Sequence, residues 1–175
     1  MPMTQGTGQD RDFTRVQASG IHGTGVFAKR LIPKGTRVFE YAGRRLSKAE
    51  LLAEAERGER KLTYVLNLDA DTAIDGAEQG NEARFINHSC EPNCEVYIFD
   101  ETPYIYAMQD IPAGIELTFD YNLQSATSRR ISRALSRELF PCNCGAPTCR
   151  GTLVAPPKRR PQPARPPVRA SLPQG

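Results

Sequence analysis

Four cysteines carry the clearest chemistry in this chain. Three of them, Cys142, Cys144 and Cys149, form a C-x-C-x4-C cluster, and Cys90 lies earlier, in the segment 84–94, which reads RFINHSCEPNC. Thiols so closely spaced pair poorly in disulfides, but as thiolates they wrap readily around one metal ion that takes a fourth ligand from elsewhere. The set can therefore close one tetrahedral zinc site that joins the C-terminal segment to the loop around Asn87. Redox-active thiols are the alternative interpretation.

Two further features could bind or orient a ligand. Gly23 and Gly25 flank Thr24, and glycine lets a backbone approach a ligand closely because it has no Cβ atom. A plain tight turn is the alternative. Asn87 and His88 shortly precede Cys90. A buried Asn can both donate and accept hydrogen bonds, which suits a zwitterionic ligand, although such a pair can also simply satisfy loop backbone.

Short runs of β-branched and aromatic residues predict the scaffold that must position these groups. Strands are predicted at 25–28, 36–41, 64–68, 72–75, 95–99, 104–108 and 115–119. Two turns of the form I-P-x-G, at 32–35 and 111–114, separate successive strands and indicate shared turn chemistry.

Two helices are predicted between and after these strands. Ser47 and Glu50 form a capping-box pattern that starts a helix, and Gly58 offers its end. A second helix is predicted from Ser128 to Leu139, before Pro141. The expected fold class is therefore mostly β with short helices.

Charge is distributed unevenly along the chain. The net charge is +3, but five basic residues and no acidic ones lie in the last eighteen positions: Lys158, Arg159, Arg160, Arg165 and Arg169. Without them, 18 basic residues face 20 acidic ones, which leaves a net charge of −2. This mildly acidic remainder suits a cationic lysine peptide better than a nucleic-acid duplex, while the basic end can add a weak, salt-sensitive nucleic-acid contact.

Length and cysteine usage narrow the class of protein. A chain of 175 residues is of single-domain length. The odd number of cysteines and the lack of a secretory leader pattern predict reduced thiols. No apolar run approaches the roughly 20 residues that span a bilayer. We expect an intracellular monomer without a membrane segment, and the pattern does not choose between cytoplasm and nucleus.

Six short motifs occur in a fixed order along the chain. They are SGIHGTGVFA at 19–28, EYAG at 40–43, GN at 80–81, RFINHSC at 84–90, ELTFDY at 116–121 and CNCG at 142–145. In this order and spacing the set resembles the SET-domain protein lysine methyltransferases with a post-SET zinc segment. The resemblance covers about residues 13–154.

The resemblance implies a SET fold of small curved β-sheets with a pseudoknot-like threaded segment, in which the chain around Asn87 and His88 passes beneath the one ending in Tyr121. Periodicity could not have predicted such threading. The implied division is a disordered start (1–12), a SET domain (13–125), a helical connector (126–140), a post-SET zinc segment (141–154) and a disordered Pro/Arg-rich tail (155–175).

The resemblance also implies a methyl donor, S-adenosylmethionine, and one structural zinc ion. The residues that it assigns to the donor are His22, Gly23, Gly25, Val26, Tyr64, Arg84, Asn87, His88 and Leu153. It makes Cys90 the fourth zinc ligand beside Cys142, Cys144 and Cys149. Cys94 is then expected to be a small buried apolar residue.

For the reaction itself, the resemblance assigns catalysis to Tyr121 and the lysine passage to Tyr41, Phe119 and Tyr121. Tyr41, like Tyr64, can equally be a packing residue. Where relatives carry Tyr at the position of Phe119, its hydroxyl holds a water or the amine. Phe leaves that space free, so di- or trimethyl-lysine is the expected product.

The implied function is methyl transfer to lysine in a protein, with a histone or histone-like protein as the expected partner. A catalytically silent module that holds a lysine peptide is the alternative, and a nucleic-acid-associated protein acting through its tail is a third. Arg44 and Arg45 follow EYAG where relatives commonly place an acidic residue. The chain also has too few cysteines for a second zinc cluster before the SET domain, so the substrate stays open.

Overall fold

The computed structural model describes residues 13–123 and 132–156. The predicted disordered start, the first residues of the predicted second helix at 128–131 and the basic residues of the tail lie outside the described residues.

Short strands dominate the described chain, as the sequence predicts. The strands are β1 (Thr14–Ala18), β2 (Thr24–Ala28), β3 (Arg37–Glu40), β4 (Arg44–Ser47), β5 (Val65–Asn67), β6 (Thr72–Asp75), β7 (Asn87–His88), β8 (Cys94–Phe99), β9 (Thr102–Ala107) and β10 (Thr118–Phe119). The helices are α1 (Lys48–Glu56), a 3-10 turn (Glu82–Phe85) and α2 (Arg133–Leu139). The expected class, mostly β with short helices, is confirmed.

These strands form four small sheets in the described chain. Strands β1 and β2 form an antiparallel pair. Strand β9 pairs with β3 on one side and β8 on the other, and β6 lies between β4 and β5. The fourth sheet is a parallel pair, in which Asn87 of β7 lies opposite Thr118 of β10 and His88 lies opposite Phe119. This pair brings two distant motifs side by side, as the threaded fold implies.

The two strands that flank one I-P-x-G turn do not pair with each other; instead β3, after the first turn, pairs with β9, before the second. The turns also meet face to face, because the Ile32 and Ile111 backbones exchange hydrogen bonds of 2.9 and 2.8 Å. Both isoleucine side chains are buried. The predicted strand 115–119 is regular only at Thr118–Phe119, and Leu117 N–H donates to Val26 O at 2.7 Å. Each turn thus anchors the other in the core.

Helix α1 begins and ends close to the residues that the sequence predicts. The Ser47 side chain accepts from the Glu50 N–H, and the Glu50 side chain accepts from the Ser47 N–H, which completes the capping box. Gly58 just after the helix has a φ of 72°, a left-handed conformation that glycine adopts without strain. Helix α2 begins after an N-cap at Ser132, inside the predicted 128–139 range.

One buried cluster supports the candidate site residues. It combines Val26, Val38, Ile74, Ile86, Ile105, Leu117 and Phe119 with other buried side chains, Phe39 and Tyr41 among them. Asn93, also buried, crosslinks this core, since its Nδ2 donates to Glu116 O at 2.8 Å and its Oδ1 accepts from Thr118 N–H at 2.9 Å. None of the helices at 13–123 and 132–156 is both long and apolar enough to cross a membrane.

The packing around Gly80 gives a prediction for stability. A Cβ atom at Gly80 would lie 2.7 Å from the carbonyl carbon of Gly76 and 2.9 Å from its Cα, and this backbone cannot easily move. We expect Gly80→Ala to lower the free energy of unfolding by about 1–3 kcal/mol, measured by urea denaturation. At Gly20 an added Cβ would meet no atom within 4 Å, so Gly20→Ala is the matched control. Equal stability of the two variants would contradict this packing.

Candidate active site and metal centre

The loop between β1 and β2 lies against the Asn87 side chain. Asn87 Nδ2 lies 3.1 Å from His22 O and 3.0 Å from Thr24 O. Gly23 has a φ of +49°, and its carbonyl accepts from the Ser19 N–H at 2.9 Å. The chain therefore brings the predicted loop residues 22–26 next to Asn87, itself buried.

Glu116 joins the same cluster, although the sequence analysis assigned it no role. One of its carboxylate oxygens lies 2.8 Å from Asn87 Nδ2, and Ser19 Oγ lies 2.8 and 2.9 Å from the two oxygens. A Cβ atom at Gly25 would overlap this carboxylate. The available signal was a charged residue within the predicted strand 115–119, which reads IELTF.

His88 connects the candidate catalytic strand to the cysteines. Its Nδ1 accepts from the Tyr121 N–H at 3.1 Å, so in the neutral ring Nε2 carries the proton, and Nε2 lies 3.4 Å from Cys90 Sγ. Burial lowers the pKa of His88, the nearby Asp120 carboxylate opposes that shift, and the Arg150 charge adds to it. The neutral ring that results is suited to both contacts.

Tyr121 presents a protonated phenol at this site. Its hydroxyl donates to Ile86 O at 2.9 Å, and its ring lies 5.1 Å from the Phe119 ring and 5.3 Å from the His88 ring, centroid to centroid. Burial, followed by the nearby Tyr64 and Glu116, raises the pKa of Tyr121 above its ordinary value. Since the hydroxyl proton is already donated, the oxygen lone pairs can accept a further hydrogen bond.

Tyr41 lies close to the same site. Its hydroxyl donates to Tyr64 O at 2.8 Å. Burial raises the pKa of Tyr41, with additional effects from the neighbouring Tyr121 and Asp75. The structure thus brings the three residues predicted for the lysine passage, Tyr41, Phe119 and Tyr121, to one region.

Arg84 and Tyr64 lie at the edge of this region. The Arg84 guanidinium is 4.6 Å from the Phe85 ring centroid and donates to Gly76 O at 3.1 Å. The Tyr64 ring meets Phe85 edge to face at 5.9 Å. Among the described residues the buried Arg84 Nε has no hydrogen-bond partner. Arg84 therefore retains an uncommitted donor, whereas the Tyr64 ring packs against Phe85 and the Tyr64 carbonyl accepts two hydrogen bonds.

The four predicted cysteines converge. Their sulfurs all lie within 4.8 Å of one another, and Cys90 Sγ is 3.8 Å from Cys142 Sγ and 4.0 Å from Cys149 Sγ. With Zn–S bonds of about 2.3 Å, the sulfurs of a tetrahedral site lie about 3.8 Å apart, so the residues present fit zinc. Such separations exclude a disulfide. Cys94 is fully buried in the apolar core instead, as predicted.

Backbone amides surround these sulfurs. Arg150 N–H lies 3.4 Å from Cys90 Sγ, and Gly151 N–H lies 3.3 Å from Cys149 Sγ. At Cys144 burial opposes ionisation, but backbone amides, first that of Cys90, and neighbouring thiols lower its pKa to about 6. The backbone amides thus favour the thiolate form of Cys144, the form that a metal ion requires, whereas burial raises the pKa of the Cys90 and Cys142 thiols.

The C-terminal segment is also held by contacts that need no metal. Both terminal nitrogens of Arg150 donate to the Asp120 carboxylate, at 2.7 and 2.9 Å. Leu153 N–H donates to Phe140 O at 2.9 Å, and Leu153 O accepts from the Leu123 N–H at 3.3 Å. Leu153, half-buried, therefore lies beside the strand extension that follows Tyr121. Nothing local in the sequence relates Arg150 to Asp120, so this pair becomes visible only in the structure.

Surface cavities do not by themselves mark this site. One cavity of about 340 Å³ lies along β8 and β9, where Lys34, Tyr97, Phe99 and Tyr106 line it. Another, of about 260 Å³, includes Tyr64 in its lining. Tyr64 is the one predicted site residue among the linings of these two. The convergence of polar groups on Asn87, Tyr121 and the cysteines is the stronger indication.

The chain is similar to known proteins over most of its length. The family profile described as the SET domain matches residues 23–122. A Mus musculus protein named histone-lysine N-methyltransferase, H3 lysine-36 specific, is 40% identical over 146 residues, which are 79% of this chain and 5% of that protein. An H3 lysine-4 specific enzyme of Schizosaccharomyces pombe is 37% identical over 148 residues, 77% of this chain and 14% of that protein. The chain thus spans a small part of these relatives.

The four clustered cysteines and Cys94 should differ in their effect on zinc content. We expect Cys149→Ser to lose bound zinc, because one of four thiolate ligands is removed. Cys94→Ala is the matched control: its side chain lies in the core, so it should lower stability slightly and keep one zinc per chain. Elemental analysis of the purified variants measures the zinc content. Equal zinc in both variants would contradict the assignment.

Proposed function

Because the chain belongs to the SET-domain family, we propose that it is an S-adenosylmethionine-dependent protein-lysine N-methyltransferase. The observation that carries the proposal is the parallel pair of β7 and β10, which brings Asn87, the loop 22–26 and the Tyr121 hydroxyl to one place. A methyl transfer needs these parts together: groups that hold a donor, a group that orients the amine, and limited access for water.

We assign donor binding to the loop and to the segment beside it. The loop contributes His22, Gly23, Gly25 and Val26, whose backbone a ligand can approach closely because of the glycines. Asn87 and His88 contribute from β7, Arg84 and Tyr64 from the edge, and Leu153 from the C-terminal segment. The backbone of the loop is suited to the polar groups of such a donor.

Tyr121 is proposed as the catalytic residue. A lysine ε-amine has an ordinary pKa near 10.4, so it must lose a proton before it can react. The Tyr121 oxygen accepts an N–H of the neutral amine and holds its lone pair toward the methyl group. The ammonium would release its proton to water before the transfer. The bound donor would then supply the methyl group, with the carbon–sulfur electron pair staying on sulfur, and the methylated nitrogen would carry the positive charge that sulfur loses. Positioning provides the acceleration, and no strong base is required.

Zinc is proposed as a structural ion held by Cys90, Cys142, Cys144 and Cys149. When bound, it joins the segment 141–154 to the loop that carries Asn87 and His88. The residues of that segment then cover the site, with Leu153 beside the extension of β10.

The proposed substrate is a lysine in a histone or histone-like protein. The names of the two relatives specify different histone positions, lysine-36 and lysine-4, at similar identities of 40% and 37%. Similarity alone therefore does not choose the target lysine. We further propose that the enzyme acts as a monomer and that its basic tail adds a weak nucleic-acid contact. The silent-module alternative is less favoured, because Asn87, His88, Tyr121 and the four cysteines are all present and converge.

Removal of the Tyr121 hydroxyl tests the proposal. We expect the wild-type protein to transfer label from S-adenosylmethionine to histones, and Tyr121→Phe to lower the rate about 100-fold, since lost positioning can cost that much. Donor binding should change little, because the ring remains. Scintillation counting measures transfer and calorimetry measures binding.

Tyr97→Phe serves as the matched control for the loss of a phenol. Tyr97 lies on β8, with 44% of its surface exposed, and belongs to none of the proposed groups. Its activity should equal that of the wild type. A wild-type protein that binds the donor but labels neither histones nor a proteome extract would instead favour the silent module.

Phe119 is proposed to set the number of methyl groups. Its ring is buried against Tyr121, where a new hydroxyl would occupy the space that a methylated nitrogen needs. We expect wild type to form di- or trimethyl-lysine and Phe119→Tyr to stop mainly at monomethyl-lysine, as read by mass spectrometry. Phe99→Tyr, on the exposed end of β8, is the control. Only monomethyl product from wild type, unchanged in Phe119→Tyr, would refute this role.

A further inference from the structure

We propose that Glu116 is a positioning residue, which determines the orientation of the Asn87 amide and the shape of the loop 19–23 and thereby the affinity for the methyl donor. This inference rests on the proposed function and adds a residue to which neither the motifs nor the comparisons assign a role. Glu116 contacts both parts of the proposed donor site through one carboxylate.

The contacts of Asn87 leave one possible orientation of its amide. The group that faces Glu116 is also near His22 O and Thr24 O, so three acceptor oxygens surround it at 2.8–3.1 Å. Only the NH₂ end of the amide can face three acceptors, because the carbonyl end would be repelled by each of them. The Oδ1 atom therefore points away from Glu116. It is the end that can accept from a cationic ligand group.

Ser19 links the Glu116 carboxylate to the backbone of the loop 19–23 by hydrogen bonds. A carboxylate can only accept, so the Ser19 hydroxyl must donate its single proton to Glu116. Its oxygen lone pairs are then free to accept the Ile21 N–H at 2.9 Å and the His22 N–H at 3.4 Å. Without the carboxylate the hydroxyl could rotate, and the two loop amides would lose a defined partner.

The backbone of Glu116 is held independently of its side chain. Its carbonyl accepts from Asn93 Nδ2 at 2.8 Å, and the next residue, Leu117, donates to Val26 O at 2.7 Å. The side chain itself is half-buried. Truncation of the carboxylate should therefore leave β10 in place and disturb chiefly Asn87 and the loop. Gly25 supports this arrangement, since any side chain there would overlap the carboxylate.

The test uses the zinc-loaded full chain and S-adenosylmethionine as the probe, with calorimetry for affinity. We expect Glu116→Ala to weaken donor binding about 10- to 100-fold, the usual cost of losing hydrogen bonds to a charged group. Glu116→Gln should stay within about 3-fold of wild type, because the retained oxygen can accept from both Asn87 and Ser19. The KM for donor should rise in Glu116→Ala while the KM for the peptide changes little.

A double-mutant cycle adds a readout that a merely structural role would not move. If Ser19 acts through Glu116, Ser19→Ala should weaken binding alone but add little in the Glu116→Ala background. Additive losses would overturn the inference, as would wild-type donor affinity in Glu116→Ala. If Glu116→Ala does not fold, Ser19→Ala and Glu116→Gln still decide: an unchanged affinity in Ser19→Ala, or a loss in Glu116→Gln as large as 10-fold, also overturns it.

Two controls separate this inference from the proposed function. Glu101→Ala removes a carboxylate whose side chain is 82% exposed and should leave donor affinity unchanged. The side-chain NH₂ resonances of Asn87, followed by NMR without donor, should shift and exchange faster with water in Glu116→Ala. A wild-type protein that binds no donor would refute the proposed function, yet the NMR signals would still report whether Glu116 orients Asn87. Unchanged Asn87 signals would refute the positioning role alone.

Discussion

The parallel contact between β7 and β10 is the interaction on which the rest of the site depends. It is only two residues long on each side, so its own hydrogen bonds contribute little. Buried side chains reinforce it: Asn93 bonds to the backbone on both sides of Leu117, and His88 accepts the Tyr121 N–H. Buried backbone groups need hydrogen-bond partners. Here these polar side chains supply the partners that neighbouring strands of a regular sheet would provide.

The C-terminal segment 141–154 is held in place by different interactions. It is too short and too polar to bury a core of its own, so hydrophobic burial cannot hold it in place. The Arg150–Asp120 pair and a few backbone hydrogen bonds take that role, and a zinc ion held by the four sulfurs would add to it. Cys90 follows β7 and Asp120 follows β10, so both lie beyond the same end of this parallel pair, and the proposed metal centre and catalytic region share one support. His88, bonded to both, connects them directly.

Two neutral phenols and the Glu116 carboxylate help to orient the polar groups of the proposed site. The phenols of Tyr41 and Tyr121 both donate to backbone carbonyls, and burial keeps them protonated by raising their pKa. Glu116 differs because it only accepts, and it therefore determines which way two neighbouring polar groups point. A site built in this way is suited to orienting a cationic donor and a neutral amine without a strong base.

The sequence by itself determined the features that depend on neighbouring residues. Helix α1 follows its capping box and its terminal glycine, β5 and β6 lie within the predicted strands 64–68 and 72–75, and the C-x-C-x4-C spacing predicts a metal site. Tertiary structure alone decided which strands pair, that Ile32 and Ile111 join the two I-P-x-G turns, and that Glu116 and Arg150 reach Asn87 and Asp120. The reason is physical: periodicity encodes which face of a strand is buried, whereas the partner on that face is chosen by the packing of the whole chain.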